Sequence, residues 1–149
     1  KTDPSGVGFL FICIALASIL ALSGCMNLGS KPEAINFKPG ELLSCEKYSS
    51  IAKEIAPEVA LEDFSFFIKK WKGEDTLHFK VVLKNISKED QRFKVNIFLD
   101  NGKAVGGLIP RKTKKGLVKP GQTCEFSYPV KGLISAPGKI ELFIKTMSK

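Results

Sequence analysis

The chain has 149 residues and a formal net charge of +8, with 23 Lys and Arg against 15 Asp and Glu. This length is typical of one domain behind an anchor segment. Lysine carries almost all of the excess, since Arg92 and Arg111 are the two arginines. Nucleic-acid-binding proteins usually group arginines with aromatic residues, so we expect no nucleic-acid partner.

The N-terminal part of the chain is strongly apolar. Residues 7–28 (VGFLFICIALASILALSGCMNL) contain no charged side chain. A helix of this length rises roughly 30 Å, enough to cross the hydrocarbon core of a bilayer. We therefore predict a hydrophobic helix within residues 1–28, buried in lipid or against copies of itself. The side chains expected at such an interface are Phe9, Phe11, Ile12, Leu16, Ile19 and Leu20.

Pro4 and a glycine precede this segment, which resembles the mature N-terminus of archaeal type IV pilins and archaellins. The chain begins with Lys1 rather than Met, which favours a leader cut ahead of the helix. The resemblance implies a non-catalytic subunit of an extracellular pilus-like filament. Such a subunit waits in the membrane and then forms a homo-oligomer through its helix. This is the first expectation for function.

A second resemblance lies at the end of the apolar segment. Leu22-Ser23-Gly24-Cys25 is similar to the lipobox of bacterial and some archaeal lipoproteins, in which an apolar run and small residues precede a cysteine. It implies lipidation at Cys25 and a membrane-anchored lipoprotein with a binding domain. A third alternative is a single-pass accessory subunit of a membrane complex. All three place the protein at the cell surface, where contacts with an S-layer are an option.

Residues 29–60 are predicted to form a linker and a short helix. The stretch 29–40 (GSKPEAINFKPG) has two prolines, two glycines and no period. A short helix over Leu42 to Ala56 is predicted because apolar residues recur at helical spacing ahead of Pro57. These residues are Tyr48, Ile51, Ala52 and Ile55.

Beyond residue 61 the pattern changes to a period of two, which is typical of strands with one buried face. A strand is also expected around residues 64–71, and the turn pairs Asn101-Gly102, Pro120-Gly121 and Pro137-Gly138 punctuate the region. About seven short strands predict a mainly β head over 61–149, a two-sheet sandwich of immunoglobulin type. The predicted inward residues are Leu77, Phe79, Val81 and Leu83, then Phe93, Val95, Ile97 and Leu99, then Cys124, Phe126, Tyr128 and Val130, and last Ile140, Leu142 and Ile144.

The segment from Leu77 to Ile144 resembles the Ig-like modules of archaeal and bacterial surface proteins. The resemblance rests on a strand that ends in KNIS at 84–87, a strand from Phe93 to Asp100, and the stretch LVKPGQ at 117–122 ahead of the next strand. It implies an architecture and no particular activity.

No residues combine into a catalytic or metal-binding pattern. His78 is the one histidine and is predicted on the polar face of a strand. The neighbours Glu62 and Asp63 would point to opposite faces of a strand, which is poor geometry for paired acid–base work. No GxSxG, phosphate-loop or CxxC pattern occurs. We predict no enzyme, no cofactor and no metal site.

Four features of the head remain as candidates. Cys45 and Cys124 are predicted to form one disulfide if the domain is extracytoplasmic, with two free thiols as the alternative. Asn85-Ile86-Ser87 is a glycosylation sequon at a strand end. A basic stretch could contact an acidic neighbour or lipid headgroups: Arg111, Lys112, Lys114, Lys115 and Lys119. Four aromatic residues fall off the inward register and are either interface or core: Phe67, Trp71, Phe98 and Phe143.

Overall fold

The computed structural model describes residues 38–111 and 116–147. The predicted helix over 1–28, its interface residues and the lipidation candidate Cys25 lie outside these ranges, as do Lys112, Lys114 and Lys115. Within the described ranges no helix is long and apolar enough to span a membrane.

The described part of the chain is mainly β, as predicted. Its strands form two four-stranded sheets, the first in the order β1-β3-β4-β7 and the second in the order β2-β8-β5-β6. The elements in chain order are β1 Leu43–Ser44, α1 Cys45–Tyr48, β2 Ser50–Ile55, β3 Val59–Trp71, β4 Glu74–Asn85, β5 Arg92–Leu99, β6 Ala104–Ile109, β7 Thr123–Val130 and β8 Lys139–Met147.

One apolar core joins the two sheets. Alternate residues along each strand point to the same side, and the inward rows predicted on β4, β5 and β8 are buried as expected. On β7, Tyr128 and Val130 are buried, whereas Cys124 and Phe126 are only half-buried. The largest fully buried side chains are Phe66, Phe79, Phe93, Leu77, Leu83, Ile97, Ile109, Ile140, Leu142 and Ile144.

The long hairpin of β3 and β4 is the main feature of the first sheet. Its register runs from Trp71 opposite Glu74 to Val59 opposite Asn85. Lys72 and Gly73 both have positive φ, 54° and 90°, as a two-residue type I′ turn requires. The hairpin therefore places side chains from β3 and β4 side by side on the outer face of the first sheet.

The predicted helix over Leu42 to Ala56 is wrong. Only Cys45–Tyr48 is helical, and Ser50–Ile55 forms β2, which runs parallel to β8. The half-buried Ile51 and Ile55 lie four residues apart, a spacing that fits one face of a helix and one face of a strand equally well. Pairing with β8 satisfies the backbone of this segment, so tertiary context decides. The β region thus begins near residue 43 rather than at 61.

Two of the three predicted turns are closed by backbone hydrogen bonds, at Asn101-Gly102 and at Pro120-Gly121, and the chain bends at Gly138. At Asn101-Gly102, the Leu99 amide donates to the Lys103 carbonyl (2.9 Å) and closes the hairpin between β5 and β6. The pairs Pro120-Gly121 and Pro137-Gly138 stand immediately before β7 and β8.

Candidate interaction surface

The two described cysteines do not form the predicted disulfide, since both are free. Cys45 directly follows β1, and Cys124 lies on β7, at the opposite edge of the same sheet. Three strand spacings separate these edges by about 14 Å, whereas a disulfide needs Cα atoms within about 7 Å. Cys45 is fully buried, and this burial, followed by the charges of Asp63 and Glu46, raises the pKa of its thiol. Cys45 is therefore a core residue.

The sequon residue Asn85 is also a structural residue. Its side chain is fully buried. The Nδ2 amide donates to the carbonyls of Glu89 and Val118, each at 2.8 Å, and Oδ1 accepts from the amide and hydroxyl of Ser87. Both amide hydrogens are thus in use and inaccessible. The folded domain therefore leaves no free amide hydrogen at Asn85 for the predicted glycosylation.

His78 lies on the outer face of the first sheet but is not the exposed residue that the sequence predicts. It is 7% exposed, because the Phe67 ring stacks on it with centroids 5.2 Å apart. Its Nε2 atom is buried without a hydrogen-bond partner. Burial, followed by the charge of Lys69, lowers the pKa of the imidazole, so the ring is neutral at pH 7.

His78 belongs to a depression that we call the outer cup, with a volume of about 400 Å³. The hairpin of β3 and β4 supplies one side and β7 the other. Arg111, which follows β6 closely, completes it. The cup is lined by Phe67, Lys69, Lys70, Trp71, His78, Arg111, Ser127 and Pro129.

A second depression, the edge groove, lies between the edge strands β6 and β7 and has a volume of about 450 Å³. Tyr128 lines it, and its hydroxyl is buried without a partner. Burial raises the pKa of this phenol to about 12, and Arg111 opposes that shift. The groove is lined by Val105, Gly106, Gly107, Leu108, Arg111, Ser127, Tyr128 and Pro129.

The four off-register aromatic residues are neither core nor one cluster. Phe67 and Trp71 line the outer cup on the first sheet. Phe98 and Phe143 contact each other edge to face, with centroids 5.8 Å apart, on the outer face of the second sheet. Phe98 is 45% exposed. The domain therefore has an aromatic surface on each outer face.

The described residues contain no group of three His, Cys, Asp or Glu side chains placed to hold a metal ion. Sequence reasoning missed the outer cup and the edge groove. The one signal for them was the off-register position of Phe67 and Trp71. The chain matches no protein-family model, and neither a curated protein nor a solved structure matches it.

Proposed function

We propose that this chain is a non-catalytic cell-surface protein, anchored at the membrane by lipid on Cys25 after cleavage just ahead of that residue, that acts by binding through its β domain. The observation that carries the proposal is the pair of adjoining depressions around Arg111, which combine apolar walls, cations and unpartnered polar atoms. Such a combination is what binding sites use to fix a ligand.

We also propose that the domain is Ig-like. Within the described residues the chain crosses between the sheets five times, after β1, β2, β4, β6 and β7, and β4 pairs with β7 while β5 pairs with β8. This interlocked pairing of strands that are distant in sequence supports a Greek-key sandwich. In that architecture, function is supplied by surfaces grafted onto the scaffold.

The linker composition favours a tethered domain over a filament subunit. A filament subunit needs its head held in one position on its N-terminal helix, whereas a tethered binding domain needs only a linker that extends from the membrane. The composition of the stretch 29–40, with its two prolines and two glycines, is typical of such a linker. The pilus-like filament stays as the second candidate, because small residues in the apolar segment favour close helix packing: Ala15, Ala17, Ser18, Ala21, Ser23 and Gly24.

Intact mass spectrometry of the native protein, extracted from source membranes, tests the anchoring. We expect a chain that begins at Cys25 and carries acyl groups, and we expect Cys25→Ser to lose both the acyl mass and the cleavage ahead of residue 25, so that the apolar segment stays on the chain. Cys45→Ser is the matched control and should keep both. A native chain that retains residues 1–24, together with filaments on sheared cells that contain it, would replace this proposal by the second candidate.

A further inference from the structure

Two buried polar atoms in the described part of the chain lack a hydrogen-bond partner, His78 Nε2 and the Tyr128 hydroxyl. Buried polar groups are nearly always paired, so each exception calls for an explanation. Both residues are 7% exposed, and each lines one of the two depressions. The depressions share Arg111 along with Ser127 and Pro129 and therefore adjoin, and His78 reaches them from the outer face of the first sheet and Tyr128 from its inner face.

The charges around this site are positive. Lys69, Lys70 and Arg111 line the outer cup, and none of them takes part in the four ion pairs of the described residues. The nearest carboxylates along the hairpin, Glu74 and Asp75, lie opposite Trp71 and Lys70 but do not line the cup. The site therefore offers hydrogen-bond donors and positive charge to an acceptor-rich anion.

The walls of the site are apolar, and Pro129 removes one backbone donor from its edge strand β7. Phe67 and Trp71 form one wall of the cup, and Leu108 lines the groove. Pro129 on β7 has no backbone N–H, so an added strand would find no donor there. This gap in the row of donors disfavours an extended peptide that binds by strand addition across Pro129.

We infer that the outer cup and the edge groove bind an acidic oligosaccharide, with a sugar ring against the aromatic wall and its carboxylate on Arg111 and the lysines. The apolar face of a sugar ring suits an aromatic wall, and its hydroxyls suit the His78 imidazole and the Tyr128 phenol. This inference rests on the proposed function of a binding domain and names the chemistry of its partner.

The test uses the full chain in an uncharged polyoxyethylene detergent, with tetragalacturonate as the probe. His78 is the one histidine, so its Hε1 ring proton gives the one histidine Hε1 signal in the NMR spectrum. We expect tetragalacturonate to move this signal and its methyl ester, which lacks the charge, not to move it. Arg111→Gln should weaken binding about fivefold or more, as expected for loss of a charge-assisted hydrogen bond.

Two further variants separate recognition from simple charge attraction. Lys88→Gln makes the same charge change in the turn after β4, where Lys88 is exposed and lines neither depression, and should alter affinity by less than about twofold. Tyr128→Phe removes an unpartnered hydroxyl, so we expect weaker binding of tetragalacturonate together with unchanged or higher thermal stability. A merely structural tyrosine would leave the affinity unmoved.

The inference is overturned if tetragalacturonate does not move the His78 signal, or if its methyl ester binds equally well. It is also overturned if hexaglutamate binds as tightly, or if the chain binds only anionic lipid vesicles. Since the measurement is made on the isolated chain, native filaments would not affect it. Absence of binding, in turn, would leave lipidation at Cys25 standing.

Discussion

Replacing Asn85 by Ala is the sharpest test of the fold. The side chain connects the end of β4 to the turn at 87–89 and to Val118, through donors and acceptors at 2.8–2.9 Å. The Asn85 main chain joins the same region, since its amide donates to Gln122 and its carbonyl accepts from Gly121. Asn85 thus holds together three segments that would otherwise meet only through backbone contacts.

The expected cost follows from these bonds. A hydrogen bond contributes about 1 kcal/mol net, and a buried group left unpaired costs more. The Ser87 hydroxyl keeps the Glu89 carbonyl as a partner, so losing its bond to Asn85 costs little. The other three side-chain hydrogen bonds of Asn85 determine the loss of stability. We expect Asn85→Ala to lower the free energy of unfolding by about 3 kcal/mol. For a domain of this size, the melting temperature should fall by about 10–15 °C.

Urea unfolding of the full chain, followed by the fluorescence of its one tryptophan, Trp71, measures this loss. Asn101→Ala is the matched control, because exposed Asn101 accepts one bond from the Lys103 amide and should lose less than about 1 kcal/mol. Asn85→Asp keeps the shape but turns an oxygen toward two carbonyls, so it should cost at least as much as Asn85→Ala. If both Asn85 variants are as stable as the control, the structural role assigned to this residue is refuted.

Two further predictions concern the backbone and the thiols. Gly106 has φ of +152°, and a Cβ there would lie 2.1 Å from the Val95 carbonyl oxygen, so Gly106→Ala should cost about 2–4 kcal/mol in thermal unfolding. Gly107→Ala is its control, since a Cβ at Gly107 meets only the Tyr128 ring at 3.6 Å, and equal losses for the two would contradict the argument. In the absence of reductant, denatured protein should take up alkylating reagent at both Cys45 and Cys124. Under native conditions Cys45 should react far more slowly than in the denatured protein, because burial disfavours its thiolate form. A mass two hydrogens short, with both sites blocked, would restore the disulfide.

The strands could be predicted because a period of two depends only on local alternation between a buried and an exposed face. The rows on β4, β5 and β8 show this directly, and so do the glycines at the turns, which supply conformations that other residues rarely adopt. The turn at Lys72-Gly73 was harder to predict, since lysine seldom takes a positive φ. The segment 50–55 could not be assigned from its own residues, because its state depends on an edge of β8 almost ninety positions away.

The predictions for individual functional residues were incomplete for a related reason. His78 alternates as an outward residue should, yet the neighbouring strand places Phe67 over its ring. Asn85 fits the sequon pattern, yet its two amide hydrogens go to Glu89 in the turn that follows and to the distant Val118. In both cases the contacts of the side chain come from residues outside the local sequence pattern, so the pattern could not predict them.

The same reasoning explains why the outer cup was not visible in the sequence. Its lining comes from β3, β4, β7 and the residue after Pro110, segments that the crossovers after β4 and after β6 bring together. The inward faces of these strands are committed to the shared core, so variation there would disturb packing. Substitutions on the outer face of the first sheet and at the open edge between β6 and β7 would not disturb the packing of this core. A binding role for this chain is therefore to be sought at Arg111 and its neighbours rather than in the interior.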